Sequence, residues 1–171
     1  MSAGSGPVSG FGAEVRKIFV VCPIRRPHVE FLRRILQTVF QTLFGIEDRW
    51  TKTQNAIKAC VAKLEKEGHE VYWPARDNPY QNTDKIGIQI ITFNRQKMLW
   101  ANEIHIWYDK GSVGSMFDIG MFFALVRSNF KKFVIINRNK IKPTPHKSFE
   151  NVVLTLAKEF DNPVANAFKE I

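Results

Sequence analysis

The chain has 171 residues, enough for one domain with a sizeable core. Hydrophobic residues make up 44% and Phe alone numbers 14, which excludes a chain too polar to fold. The formal charge of +9 suits nucleic acid, anionic lipid or a small anionic ligand, or is simply a solvated basic surface. Its bearers, among them Arg33, Lys63, Lys97, Lys131 and Lys158, form no polybasic block, so nucleic acid is the weaker of these partners. No apolar run reaches the ~18 residues that span a bilayer, so no membrane partner is expected.

The opening "MSAGSGPVSGFGAE" is small and lacks a charged segment followed by an apolar one, so residues 1–15 are expected to be a flexible leader. Residues 16–171 then form a single domain. "KIFVVC" (17–22) is a continuous β-branched run that predicts a strand. "PHVEFLRRILQTVFQTLF" repeats apolar residues at helical spacing, through Phe31, Ile35, Val39 and Leu43. "TKTQNAIKACVAKLEKEG" does so again, with a break near "GIEDRW" and Gly68 as its stop. "HEVYWP" (69–74), "EIHIWY" (103–108) and "KFVIIN" (132–137) are further strand runs. Helical patterns over "GIQIITFNRQKMLWAN", "SMFDIGMFFALVRS" and "SFENVVLTLAKEF" separate and follow them, the last with Ser148 as N-cap. Continuous apolar strands alternating with helices predict an α/β fold. The expected form is a doubly wound, mostly parallel, five-stranded sheet, flavodoxin- or Rossmann-like, with helices on both faces.

Cys22 and Cys60 give neither a disulfide framework nor a zinc site and are expected as buried thiols in a reducing cytoplasm. Four scattered histidines give no metal-ligand spacing, and there is no P-loop or nucleophile elbow. Neither a metal nor a cofactor is therefore expected. His105 lies within a strand run and reads as a core or sheet-face residue.

Ligands of open α/β sheets bind at the carboxyl ends of the strands. That rule selects "CPIRRP" (22–27), "PARDNPYQNTD" (74–84), "DKGSVGSMFD" (109–118) and "NRNKIKP" (137–143). In the third, Gly111 and Gly114 suit tight turns and close approach of a ligand. Ser112 and Ser115 offer hydroxyls, and Ser115 is a candidate helix cap. The free N–H groups at the start of the following helix suit an anion. Asp118 falls about one turn in, where it either faces the pocket or complements the helix dipole. Arg25 directly follows the first strand and can clamp a phosphate or ribose oxygen, or be a surface arginine.

"SVGSMFDIG" resembles the S-x-G-x-x-x-E-x-G signature of the nucleoside 2-deoxyribosyltransferase-like proteins, a family that includes 2′-deoxynucleoside 5′-phosphate N-hydrolases. "FVVCPIR" is similar to that family's first strand and its loop, and "NRQKMLWANEIHIWYDKGS" to its helix, strand and signature start. The likeness covers most of residues 17–137. It implies cleavage or transfer of an N-glycosidic bond by a carboxylate that attacks the anomeric carbon. Position by position, Asp118 would be the nucleophile, with Asn94 where the family has an acid in the preceding helix. Ser112, Ser115 and the amides near Gly114 would hold a 5′-phosphate or another polar sugar group, with Arg25. Phe19 would lie beside the sugar or base, Asp109 would line the site, and Asp109, Asp77 or Asp84 would stand in for the acid that Asn94 replaces.

The likeness further implies a small-molecule nucleoside or nucleotide as partner, and a homodimer or higher homo-oligomer. The apolar helix 28–44 would serve that interface or the core. Two residues depart from the pattern: Asp118 is one methylene shorter than the family's Glu, and Asn94 is an amide in place of an acid. The connection between the first two strands is also longer than is usual in the family. A non-catalytic module that binds or senses a nucleotide is thus the alternative.

Overall fold

The computed structural model describes residues 14–24, 39, 48–129 and 131–158. Four strands alternate with helices: β1 (Lys17–Val21), α1 (Arg49–Lys66), β2 (Glu70–Tyr72), α2 (Pro74–Asp77), α3 (Ile88–Trp100), β3 (Glu103–Ile106), α4 (Val113–Asn129), β4 (Lys132–Ile135) and α5 (Phe149–Lys158). The sheet order is β2-β1-β3-β4, and every neighbouring pair is parallel. The expected α/β class holds, with two differences. The sheet is wholly parallel, and it has four strands rather than five among the described residues. After β4 the chain enters a 3-10 turn at Arg138–Lys140 and then a stretch holding Pro143 and Pro145. Prolines donate no ladder hydrogen bond, so this stretch leads into α5 instead of another strand.

Both faces of the sheet are covered, so the strand runs are largely apolar, Glu103 and His105 of β3 being the exception. Phe19, Val21, Tyr72, Ile104, Ile106 and Phe133 pack with Met98 of α3 and Ile119 and Phe122 of α4. Ile18 and Val20 point the other way and pack with Ile57, Val61 and Leu64 of α1. Phe122 stacks on Phe133 with ring centroids 4.8 Å apart. Val153, Leu154 and Leu156 of α5 join the first cluster.

The caps explain where the helices begin and end. Asp48 accepts from the Thr51 amide at 3.0 Å and starts α1 just past "GIE". Gly68, at φ +86°, lies just past the cap at the other end, a conformation that glycine adopts without strain. The Ser148 hydroxyl accepts from the Asn151 amide at 3.2 Å, as its expected capping role requires. Asp84 receives four backbone amides, those of Ile86, Gly87, Gln89 and Ile90, and fixes the entry to α3. The stretch 74–77, expected as loop, is one helical turn with Pro74 at its start. The expected helix over 28–44 lies, apart from Val39, outside the described residues, as does the leader through residue 13.

Charge is also buried at the amino-terminal edge of the sheet. Glu103 accepts from Arg16 Nη1 at 2.7 Å and bonds His105 Nε2 at 2.8 Å, with Lys132 Nζ 3.7 Å away. Burial disfavours its ionised form, but the hydrogen bonds from His105 and Arg16 outweigh that and hold it below the usual carboxylate range. His105 is held below the ordinary histidine value, chiefly by burial. It is thus the sheet-face histidine expected from its strand position.

A lowered folded pKa means that the ionised carboxylate stabilises the fold above the unfolded value of about 4.3 and stops doing so as pH falls through the folded value. Glu103→Gln is expected to cost about 1–3 kcal/mol at pH 7. In thermal melts its deficit should shrink as pH falls below about 4. A deficit unchanged down to pH 3 would assign the loss to packing instead.

Candidate active site

Because the strands are parallel, their carboxyl ends share one edge of the sheet. The chain runs from β1 out to β2, then crosses back over β1 to β3. The strand order therefore reverses at β1, and in open α/β sheets that reversal, at the carboxyl ends of β1 and β3, is where ligands bind. The loop after β3 and the first turns of α4 meet that edge.

Ser112 sits at the start of α4. Its hydroxyl accepts from the Ser115 amide at 3.3 Å and lies 2.8 Å from the Ser115 hydroxyl. Ser112 is therefore the cap, and Ser115, expected as a cap candidate, is a buried residue inside the first turn. Gly114 and Gly111 lie outside the left-handed region, and a Cβ on Gly114 would meet open space. Their value is the absence of bulk at an exposed turn, not a conformation forbidden to other residues. Asp109 accepts from the Gly111 amide at 2.9 Å and tightens the same turn.

Asp118 follows on α4 and is only 6% exposed. Burial raises its carboxyl to about 7, against a hydrogen bond from the Asn94 side chain that lowers it. Asn94 is itself 3% exposed, on α3. Its Oδ1 accepts from Asn78 Nδ2 at 3.0 Å and from the Tyr72 hydroxyl at 3.4 Å. That leaves the Asn94 amide group to donate to Asp118. Asn78 is fixed in turn, since its Nδ2 also donates to the Ile90 carbonyl at 3.1 Å and its Oδ1 accepts from the Tyr80 amide at 2.9 Å. The result is a buried chain of polar groups from α2 through α3 to α4 that ends on one carboxylate. The Tyr72 hydroxyl is held well above its ordinary pKa by burial and by the charge of Asp77, so it is a donor at neutral pH.

Two sequence candidates, Asp118 and Asn94, are thus brought into contact. Phe19 is fully buried in β1 and packs on Tyr72 at 5.2 Å between ring centroids, so it supports the site from beneath. Asp77 and Asp84 already receive backbone amides, from Trp73 in the first case and at the entry to α3 in the second. Neither is a spare acid. Asp109 lines a separate basic cavity beside α1. Arg25 lies outside the described residues.

Sequence reading missed Tyr72 and Asn78, whose residue types are common in cores and turns; only their contact with Asn94 marks them. Cys22, at the end of β1, accepts from Trp73 Nε1 at 3.0 Å, and burial pushes its thiol up to about 12, so it is an inert core thiol at neutral pH. Cys60 is half-buried. Among the described residues no cluster of three or more His, Cys, Asp or Glu is arranged to hold a metal ion, and no helix is long and apolar enough to cross a membrane.

The fold and site together define an open, parallel α/β protein with a buried carboxylate at its strand-order reversal. Comparison with known proteins finds no family model, no curated protein and no solved structure that matches the chain.

Proposed function

We propose that the protein cleaves or transfers the N-glycosidic bond of a nucleoside or nucleoside 5′-monophosphate, with Asp118 as nucleophile. The observation that carries this reading is the Asp118 carboxylate, nearly buried at the strand-order reversal, raised to about 7 and oriented by Asn94. A raised pKa marks a carboxylate poised to act near neutral pH. The likeness of "SVGSMFDIG" to the deoxyribosyltransferase signature points the same way.

In this reading Asp118 attacks the anomeric carbon and the bond to the base breaks. The base leaves with the bonding electron pair and takes a proton from solvent. Water or a second base then displaces the carboxylate from the sugar. Ser112, Ser115 and the amides at the start of α4 hold the 5′ end of the sugar, and Arg25 assists. Unpaired thiols at Cys22 and Cys60 suit a cytoplasmic setting. Val113 and Phe117, one turn apart on α4 and 83% and 51% exposed, suit pairing with a second copy.

A second reading has one observation of its own. Where the signature family carries an acid, Asn94 is an amide whose oxygen is already engaged by two donors. It cannot transfer a proton. A pocket built this way suits a non-catalytic nucleotide-binding module.

Incubation with a panel of nucleosides and 5′-monophosphates, followed by chromatography for free base, separates the two. Base release above that of an Asp118→Ala control is expected. Saturable binding without release would favour the sensing module, and neither binding nor release would remove both readings.

A further inference from the structure

A cavity of about 600 Å³ lies toward α1, with neither Asp118 nor any residue of α3 on its lining. We propose that it binds a small, multiply charged phosphorylated molecule through its phosphate chain.

The charges converge from three separate parts of the chain. Arg49 and Lys52 come from the first turn of α1, Lys110 from the loop after β3, and Lys140 and Lys142 from the segment after β4. Asp109 and Glu150 are the only acids on the lining among the described residues, so five cations face two carboxylates. That excess suits a ligand carrying two or three negative charges. The volume is that of a nucleotide-sized molecule. Lys140 Nζ rests 5.1 Å from the centroid of the Trp107 ring, which lines the same wall, so one cation is held in place.

The second observation is independent of charge. Tyr108 also lines the cavity, and its hydroxyl is buried beside the Glu150 carboxylate without a well-formed hydrogen bond among the described residues. The residue is not loose. Its backbone amide donates to Asn137 Oδ1 at 2.9 Å, and its carbonyl accepts from Asn137 Nδ2 at 2.8 Å. Buried hydroxyls are seldom left without an acceptor. A phosphate oxygen in the cavity would accept this hydrogen while the cations neutralise its charge.

The test is calorimetry on the full chain at low ionic strength, with inorganic tripolyphosphate and adenosine 5′-triphosphate as separate probes and a short single-stranded oligonucleotide as a third. Saturable binding of tripolyphosphate is expected, weakening as salt is raised. Equal affinity for the two small probes would show recognition of the phosphate chain alone, and tighter binding of the triphosphate nucleoside would add the base. The exposed pair Lys140→Glu and Lys142→Glu should lower affinity about tenfold or more while the thermal midpoint holds. Tyr108→Phe should lower it several-fold at little cost in stability, because the hydroxyl's neighbour in the fold, the Glu150 carboxylate, makes no well-formed hydrogen bond with it. Asp118→Asn should bind tripolyphosphate as the parent does, which keeps this site distinct from the glycosidase reading. Absence of tripolyphosphate binding, binding of the oligonucleotide alone, or affinity unchanged in the lysine and tyrosine variants would each overturn the proposal.

Discussion

An Asp118→Asn variant is expected to be more stable than its parent at pH 8, and inactive on any nucleoside that the parent cleaves. The two effects share one cause. Burial holds the carboxyl at about 7, against 3.8 for an exposed aspartate. Between about pH 4 and 7 the folded chain keeps a proton that the unfolded chain has shed. Stability from this residue is therefore full in acid and is lost as pH rises through 7. Above that value the fold carries a buried charge whose cost is on the order of 2–4 kcal/mol, and Asn, of the same shape, removes it.

The parent-to-variant difference in thermal midpoint should thus be large at pH 8 and small at pH 5. A variant that is less stable at pH 8 would contradict the buried-charge account. The same charge is the electron pair the proposed reaction needs, so base release should fall by about 10³-fold or more. In the parent, kcat/KM should rise as pH climbs through about 7, because only the ionised carboxylate attacks. Undiminished release by the variant would remove Asp118 from the chemistry while leaving the stability argument intact.

The second large effect is expected at Phe122. It lies four residues after Asp118, about one turn along α4, and is 1% exposed. Its ring stacks on Phe133 of β4, so it fastens the helix that carries the carboxylate to the sheet. Phe122→Ala deletes a fully buried ring and should cost about 3–5 kcal/mol, depending on how far the site collapses. Denaturant titration measures this as a lowered midpoint, and a loss under 1 kcal/mol would show that the cavity refills. Activity under conditions where the variant remains folded should also fall, because a carboxylate displaced by about 1 Å reacts on the order of 100-fold more slowly. Phe122→Leu should lie between the two.

Much of the fold was legible because apolar periodicity and caps are local signals. "KIFVVC" and "KFVIIN" carry β-branched and aromatic residues without alternation, the mark of strands covered on both faces. Gly68 and Ser148 announced helix ends by their residue type. Strand number was harder: five apolar runs were expected as strands or strand pieces, and four strands form among the described residues. The cap of α4 was misplaced by one turn, because Ser112 and Ser115 are equally suited to cap and only the backbone decides which does.

The candidate site was half legible. Asp118 and Asn94 stood out through the signature that "SVGSMFDIG" resembles. Nothing local joins Tyr72, Asn78 and Asn94, which come from a strand, a turn and a helix. Burial, which sets the Asp118 pKa, is likewise a property of the packed fold. The basic cavity was partly legible, since the strand-end rule selected 109–118 and 137–143, but nothing in the sequence joined those loops to Arg49 and Lys52 at the start of α1.

Lys131 was counted among those dispersed cations, yet its ammonium is buried. It donates to the Leu99 carbonyl at 2.9 Å and to the Ala101 carbonyl, closing the last turn of α3 from the doorstep of β4. Burial lowers its pKa, so its charge is tolerated only while those carbonyls are in reach. If the end of α3 frayed, an ammonium would be stranded in the interior. The end of α3 and the start of β4 are therefore bound to open together, as one cooperative unit rather than as a helix terminus that frays alone. Asn94 sits on that helix, so the amide that orients Asp118 shares the rigidity of the sheet.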